Sequence, residues 1–300
     1  MQEADVSAPI LVAYSPKAGD RGPINFAEAA ARATGAPLVV VAAGAGGDDA
    51  AGRLRSELAL AEGVDVRAVD GSAAKAITEV IEELRPGLVV LGSTHRGGIG
   101  RVMASSTAEK VIHGCAAPVA VVPHQHEMPS GGVKLIAAGF EPTDEGRAAL
   151  RVAAALARAT GAKLLASMVL DPKHAEDQAP GLLARTTHDQ SLSENRYTRE
   201  RLTSQDALTA AIAELAAGVE TEPDVLFLEP LEGLEAVSRR ADLLVIGARS
   251  YGPMHSVMLG GVSRKLIAAA GCPILVLPRG TEELTLMGGA GRSAPAGNAG

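Results

Sequence analysis

The stretch Leu243–Leu277, LLVIGARSYGPMHSVMLGGVSRKLIAAAGCPILVL, decides the fold. It opens on an apolar run, Leu243–Ile246, with the length and branching of a strand buried on both faces. The run ends at Gly247, and a loop holding Gly247, Gly252, Gly260 and Gly261 follows. Val262–Ala270 then reads as a short helix, with Val262, Leu266, Ile267 and Ala270 on one face. Gly271 stops that helix, and Pro273 starts a second buried strand, Ile274–Leu277. A strand, a Gly-rich loop and a helix N-terminus form a place where backbone N–H groups can point at phosphate. Glycine there lets the backbone approach a ligand closely. The same residues also suit a plain surface turn, because such motifs match easily by chance.

The unit occurs twice. Leu88–Val122 reads LVVLGSTHRGGIGRVMASSTAEKVIHGCAAPVAVV, with Gly92 in the place of Gly247 and Pro118 in that of Pro273, an offset of 155 residues (247−92). Upstream, Ala31–Ala36 (ARATGA) recurs identically as Ala157–Ala162, an offset of 126 (157−31). Two copies are too few for a solenoid, so the chain reads as two whole domains in tandem. The second copy carries 29 extra residues (155−126) between its early and late parts.

On these residues the chain resembles a tandem universal stress protein, from Pro9 to Arg279. Nucleotide-binding members of that family carry G-x2-G-x9-G-[ST] at this strand–loop–helix. The second half has Gly247-x2-Ser250-x9-Gly260-Gly261, followed by Val262-Ser263; the first has Gly92-x2-His95-x9-Ser105-Ser106. Both keep the spacing, and both lose part of the residue types. The resemblance implies two doubly wound parallel five-stranded α/β sheets, each of strand order 3-2-1-4-5, packed as a pseudo-dimer. In single-domain relatives the last strand mediates dimerisation. Val119–Val122 and Ile274–Leu277 are both apolar, and as edge strands they invite pairing.

Composition agrees. Three hundred residues suit about two domains. The chain is 47% hydrophobic but only 2% aromatic and has no Trp, so its core must be built from Val, Leu, Ile and Ala. That suits parallel sheets under Ala-rich helices and excludes aromatic platforms for single-stranded nucleic acid. A net charge of −7 leaves no whole-chain footprint for nucleic acid. Cys115 and Cys272 read as small buried residues of a reducing compartment. Met1–Ala8 lacks a basic region and an apolar run of signal-peptide length, and no stretch has the apolar length of a membrane helix. The expectation is a cytoplasmic protein.

The expected boundaries are a first domain at 9–123, a linker at 124–132, a second domain at 133–279 and a disordered tail at 280–300. The first domain reads as strands Ile10–Tyr14, Leu38–Ala42, Val64–Val69, Leu88–Leu91 and Val119–Val122. Its helices are Ile24–Thr34 behind Pro23, Asp49–Glu62, and Ala73–Leu84 with Ser72 as N-cap. This alternation implies a parallel, doubly wound sheet. The linker, with Pro129, Ser130, Gly131 and Gly132, reads as exposed, and His124 and His126 read as linker imidazoles rather than a metal pair. The second domain reads as strands Leu135–Gly139, Lys163–Val169, Val225–Leu228, Leu243–Ile246 and Ile274–Leu277, with helices Thr143–Thr160 and Leu231–Arg239. The extra length supplies a long helix, Ser193–Ala217, expected to lay Leu202, Leu208, Ile212 and Leu215 on the sheet.

In an open α/β sheet the ligand crevice lies at the carboxyl ends of the strands where the order reverses. The resemblance implies a nucleotide there, ATP or AMP, with Mg accompanying it if any metal is present. In the second half the implied binding residues are Gly139, Phe140 and Glu141 after the first strand, Val169 after the second, and Gly247, Arg249, Ser250, Gly260, Gly261, Val262 and Ser263 around the loop. Glu141 stands where the family's acid contacts the nucleoside; the first half has Ser15. Arg249 suits phosphate, and Ser250 and Ser263 offer hydroxyls. Glu141 also has a structural reading, as a cap on the next helix, and Gly247 one as a turn residue. With no general base, metal cluster or Walker-type Gly-Lys-Ser/Thr ending near the loop, the chain reads as a non-enzymatic stress-response protein. The alternative is an adaptor that binds no nucleotide and acts through dimerisation and an unidentified protein partner.

Overall fold

The computed structural model describes residues 7–44, 49–95, 102–103, 106–172, 190–248 and 261–281. In the first half, strands β1 (Ile10–Tyr14), β2 (Leu38–Ala43), β3 (Asp65–Val69), β4 (Leu88–Gly92) and β7 (Val119–Val122) alternate with helices α1 (Gly22–Thr34), α2 (Ala50–Glu57), α3 (Ala73–Leu84) and α4 (Ser106–Gly114). A short hairpin, β5 (Thr94–His95) with β6 (Val102–Met103), interrupts the first Gly-rich loop, which the sequence reading left without structure. The second half has strands β8 (Leu135–Gly139), β9 (Lys163–Leu170), β10 (Thr221–Phe227), β11 (Leu243–Gly247) and β12 (Ile274–Leu277). Its helices are α5 (Asp144–Thr160), α6 (Gln190–Leu215), α7 (Pro230–Ser238) and α8 (Gly261–Ala269).

The strands run β10-β9-β8-β11-β12-β7-β4-β1-β2-β3 in one sheet. Each half keeps the 3-2-1-4-5 order, and its pairs are parallel. The halves join where β12 pairs β7 antiparallel, Leu275 opposite Ala120. The two expected five-stranded sheets are thus continuous in a single ten-stranded sheet, through the pairing expected of their last strands. Its physical cause is the edge exposure read from the sequence: joining the two apolar last strands satisfies both rows of backbone groups. The repeat extends to register. Ile10 pairs Leu38 and Leu88, while Ile136 pairs Leu164 and Leu243, at the same offsets of 126 (136−10) and 155 (243−88).

Successive residues of each strand point to opposite faces, and both faces are apolar. Ile10, Val12, Ala138 and Val245 face α1, α2, α5 and α6. Leu11, Ala137, Leu244 and Ile246 face α3, α4, α7 and α8. Cys115 and Cys272 are buried among the latter group as free thiols.

Other expectations need revision. Helix α2 ends at Glu57, five residues early, because Leu58 and Leu60 turn into the core while Ala59 takes a left-handed φ of 45°. Ser72 stands at the N-cap of α3 but its hydroxyl caps nothing. Strand β10 starts at Thr221 rather than Val225, and Pro223 is tolerated because β10 is an edge strand. Leu202 is 58% exposed, whereas Leu208 is fully buried and Ile212 and Leu215 pack on the core. Leu202 lies six residues before Leu208, roughly 240° around the helix, so it points away from the buried stripe. In the linker Ser130, Gly131 and Gly132 are exposed, while His124 Nδ1 sits 3.0 Å from Asp20 Oδ2, its backbone N–H donates to Ser93 Oγ, and His126 Nε2 is buried. Residues 282–300, expected to be disordered, lie outside the described residues, as do 173–189.

Candidate functional site

At the carboxyl end of the second half-sheet, β8 and β11 lie side by side and end in glycine. Both glycines are enforced by packing. A Cβ on Gly139 would meet Ile246 Cγ2 at 3.2 Å and Leu234 Cδ2 at 3.3 Å. A Cβ on Gly247 would stand 2.6 Å from the backbone oxygen of Glu145, in the first turn of α5. Phe140 donates its N–H to the Ser167 carbonyl at 2.8 Å and sends its ring, 3% exposed, into the core beneath α5. Its backbone lies at the crevice, but its ring does not.

Glu141 is partly exposed, and its carbonyl accepts from the Thr143 N–H. The cap of α5 is Thr143, whose Oγ1 accepts from the Gly146 N–H at 3.2 Å. Thr143 thus holds the N-cap position of α5. Gly146 lies so close that a Cβ there would be 2.2 Å from the Glu141 oxygen. This contact comes from a difference between the halves. Helices α1 and α5 end at equivalent residues, Thr34 and Thr160, but α5 starts at Asp144 and α1 only at Gly22. The second half therefore has an additional helical turn, Asp144–Arg147, over Gly247. In the first half Pro23 occupies that place, 2.9 Å from a Cβ on Gly92. Sequence reasoning missed Glu145 and Gly146; the acidic pair Asp144-Glu145 directly after Thr143 was the available helix-start signal.

A cleft of about 370 Å³ opens beside this turn, lined among others by Glu145, Arg147, Arg151, Gly247 and Arg279. Glu145 holds Arg279 at 3.3 Å, and Arg147 bonds Glu214 of α6. Of the sequence-derived residues that are described, only Gly247 lines it. Val169, partly exposed at the end of β9, packs against Gly233 of α7, where a Cβ would be 2.4 Å from Val169 Cγ1. Helix α8 starts at Gly261, and among the described residues nothing lies within 4 Å of where its Cβ would stand. Val262 is 39% exposed and Ser263 partly so. Arg249, Ser250 and Gly260 lie outside the described residues. The structure thus brings Gly139, Glu141 and Gly247 to one end of adjacent strands, and no described residue crowds the start of α8. Among the described residues, no group of three or more His, Cys, Asp or Glu is placed to hold a metal ion.

Two doubly wound α/β units, repeated in register and joined through their last strands, define the class of protein. A profile of the universal stress protein family matches residues 8–123 and again 132–278, and the chain belongs to that family, with two of its domains in tandem. It is 30% identical over 145 residues to a universal stress protein of Thermus aquaticus, spanning 48% of this chain and 98% of that one. A universal stress protein of Mycobacterium tuberculosis is 26% identical over 229 residues, spanning 73% of this chain and 74% of its own. Two solved structures share the fold. A Pseudomonas aeruginosa PAO1 protein of unknown function has a TM-score of 0.66 at 17% identity, over 94% of this chain and 95% of its own. A universal stress protein of Archaeoglobus fulgidus has a TM-score of 0.56 at 15% identity, over 91% and 99%.

Proposed function

We propose that this chain is a stress-response protein that binds ATP or AMP as a regulatory ligand in its C-terminal half, without catalysis. The observation that carries this reading is the start of α8. Gly261 opens the helix with no neighbour among the described residues in the space a side chain would fill, and Ser263 lies in the same turn. Unpaired N–H groups at such a terminus attract phosphate. Glu141, partly exposed after β8, is the group for the nucleoside. The additional turn of α5 favours the second reading, an adaptor without nucleotide, because it sets Glu145 against Gly247 and commits Arg279 to Glu145.

One calorimetric titration series with ATP separates the two. Gly260→Val is expected to weaken binding more than tenfold, at least ~1.4 kcal/mol, with circular dichroism unchanged. Glu141→Ala removes one polar contact, of about 0.5–3 kcal/mol, and His95→Gly in the first half leaves affinity as it is. A larger effect from His95→Gly than from Gly260→Val would place the ligand in the other half. No heat at millimolar ATP would leave the adaptor reading.

A further inference from the structure

We propose that the open edge of β3 is a self-pairing surface, on which a second copy of this chain docks antiparallel and continues the sheet into the second molecule. This pairing is independent of any nucleotide. Strand β3 ends the ten-stranded sheet on one side, as β10 ends it on the other. Bonding alternates along a parallel ladder, so every second residue turns its backbone groups away from the neighbouring strand. The Gly44 N–H donates to the Val69 carbonyl at 2.9 Å, and Ala42 stands opposite Ala68. Asp65, Arg67 and Val69 therefore face β2, while Val66 and Ala68 turn their N–H and C=O groups to the open side. Among the described residues none bonds to them there.

The two edges differ in what they offer. On β10 the Leu164 N–H donates to the Glu220 carbonyl, which turns Thr221, Pro223, Val225 and Phe227 outward. Pro223 has no N–H to give, so that edge is interrupted at an outward position. Strand β3 holds no proline, and it is complementary to itself. A two-fold axis through Val66 pairs Val66 with its own copy and Ala68 with Val64, and it sets Arg67 directly opposite Asp65 on both sides of the axis. Opposite charges facing across a strand pair attract, and like charges repel. An axis through Arg67 or Asp65 would oppose that residue to itself, so the charges select the register. Arg67 retains a donor for the contact: Nε bonds Asp65 at 3.0 Å and Nη1 bonds Glu83 at 2.9 Å, which leaves Nη2.

The side chains of Val64 and Val66 are buried in the core beneath α2, and Ala68 packs against the same cluster. The edge is thus fixed before pairing, which reduces the ordering that association costs. In the pair, the Val66 N–H donates to the Val66 carbonyl of the other copy, and the Ala68 N–H donates to the Val64 carbonyl, each in both directions. The Val64 N–H is already held by the Ala61 carbonyl at 3.3 Å. Beyond it the exposed Glu62 and Asp70 would face each other, so pairing stops there. A two-fold contact uses the same edge of both copies and closes at a dimer.

The test is sedimentation equilibrium of the full chain over a range of concentrations, without nucleotide. The expected result is a reversible dimer. Ala68→Pro removes an outward N–H and leaves the bonds to β2 in place, and it is expected to raise the dimer dissociation constant about tenfold or more. Arg67→Asp, which opposes carboxylates across the pair, is expected to weaken it to a similar degree. The double variant Asp65→Arg with Arg67→Asp restores opposite charges in the same register and is expected to return to within about threefold of the parent. Asp65 and Arg67 are both partly exposed, so the charge variants carry the test even where Ala68→Pro does not fold. A parent that stays monomeric at every concentration, an Arg67→Asp variant that dimerises like the parent, or a double variant as weak as Arg67→Asp would each overturn the pairing.

Discussion

A glycine in this sheet is informative through what stands where its side chain would be. Gly247 and Gly261 look alike in the sequence, as two members of one Gly-rich loop, but their surroundings differ. A Cβ on Gly247 would collide with the backbone of Glu145 at 2.6 Å, and backbone cannot swing aside. Gly247→Ala is therefore expected to cost about 1–3 kcal/mol of stability, the range for overpacking. Gly261→Ala meets none of the described residues and is expected to be neutral or to stabilise by up to ~1 kcal/mol, since alanine is the better helix former. Urea unfolding of the two variants checks this, and equal losses would refute it. The thiols give a second residue-scale prediction. Burial, aided by Asp242, pushes Cys272 from its ordinary 9.0 up to about 12, and burial likewise raises Cys115. Each folded-state value lies above the unfolded one. The protonated thiol is thus favoured in the native chain, and the associated stability is intact below pH 9 and lost as pH rises from 9 toward 12. Cys272→Ala is expected to flatten the alkaline limb of a stability–pH curve over that window. An unaltered alkaline limb in Cys272→Ala would remove Cys272 as its source.

Among the elements, strands buried on both faces were the most legible, because a run such as Leu243–Ile246 has no other soluble use. Legibility failed where a local rule was overruled. Glu222, Pro223 and Asp224 hid the start of β10, since an edge strand needs no apolar alternation; there Arg240 pairs both carboxylates instead. Leu202 was assigned to the buried face for its type and not for its angle. The additional turn of α5 was legible only as a helix start, because which backbone it would press against depends on β11, a hundred residues away. At the candidate site the strand-end glycines could be read from spacing. The burial of the Phe140 ring could not, because it depends on which face of β8 the helix α5 covers. Helix α6 puts these differences to the test. It packs on β9, β10 and α5 through Leu208, Ala211, Ile212 and Leu215. Leu208→Ala empties a fully buried site and is expected to cost about 2–5 kcal/mol. Leu202→Ala, at an exposed position halfway along α6, is expected to stay within ~0.5 kcal/mol. Deleting 171–181 is expected to lower the thermal midpoint much less than deleting 207–215. Comparable losses from the two deletions would mean that α6 is not held by its C-terminal stripe.

At the scale of the whole molecule, the repeat was legible from two offsets, and the register shows that it is a repeat of pairing as well as of sequence. What joins the copies is a strand pair, in which Val119, Ala120 and Val121 face Val276, Leu275 and Ile274. Every one of these six side chains is at most 3% exposed. Around the seam, Arg264 of α8 reaches Glu109 of α4 at 3.6 Å, but that pair is half-exposed and contributes little. The seam, and not the covalent linker, should therefore hold the halves together. This is tested by a protease site placed between Ser130 and Gly131, two exposed residues of the linker. After cleavage at neutral pH the two fragments are expected to elute together as one species of the parent's size. The outer edges of β7 and β12 are covered by each other, and a bare edge strand is unfavourable in water. Ala120→Glu places a carboxylate at a fully buried position opposite Leu275, where an unpaired charge costs several kcal/mol. In that background cleavage is expected to separate or unfold both fragments. If the cleaved parent itself falls into two fragments, the seam is too weak to hold the halves, and the linker is what keeps the ten strands in one sheet.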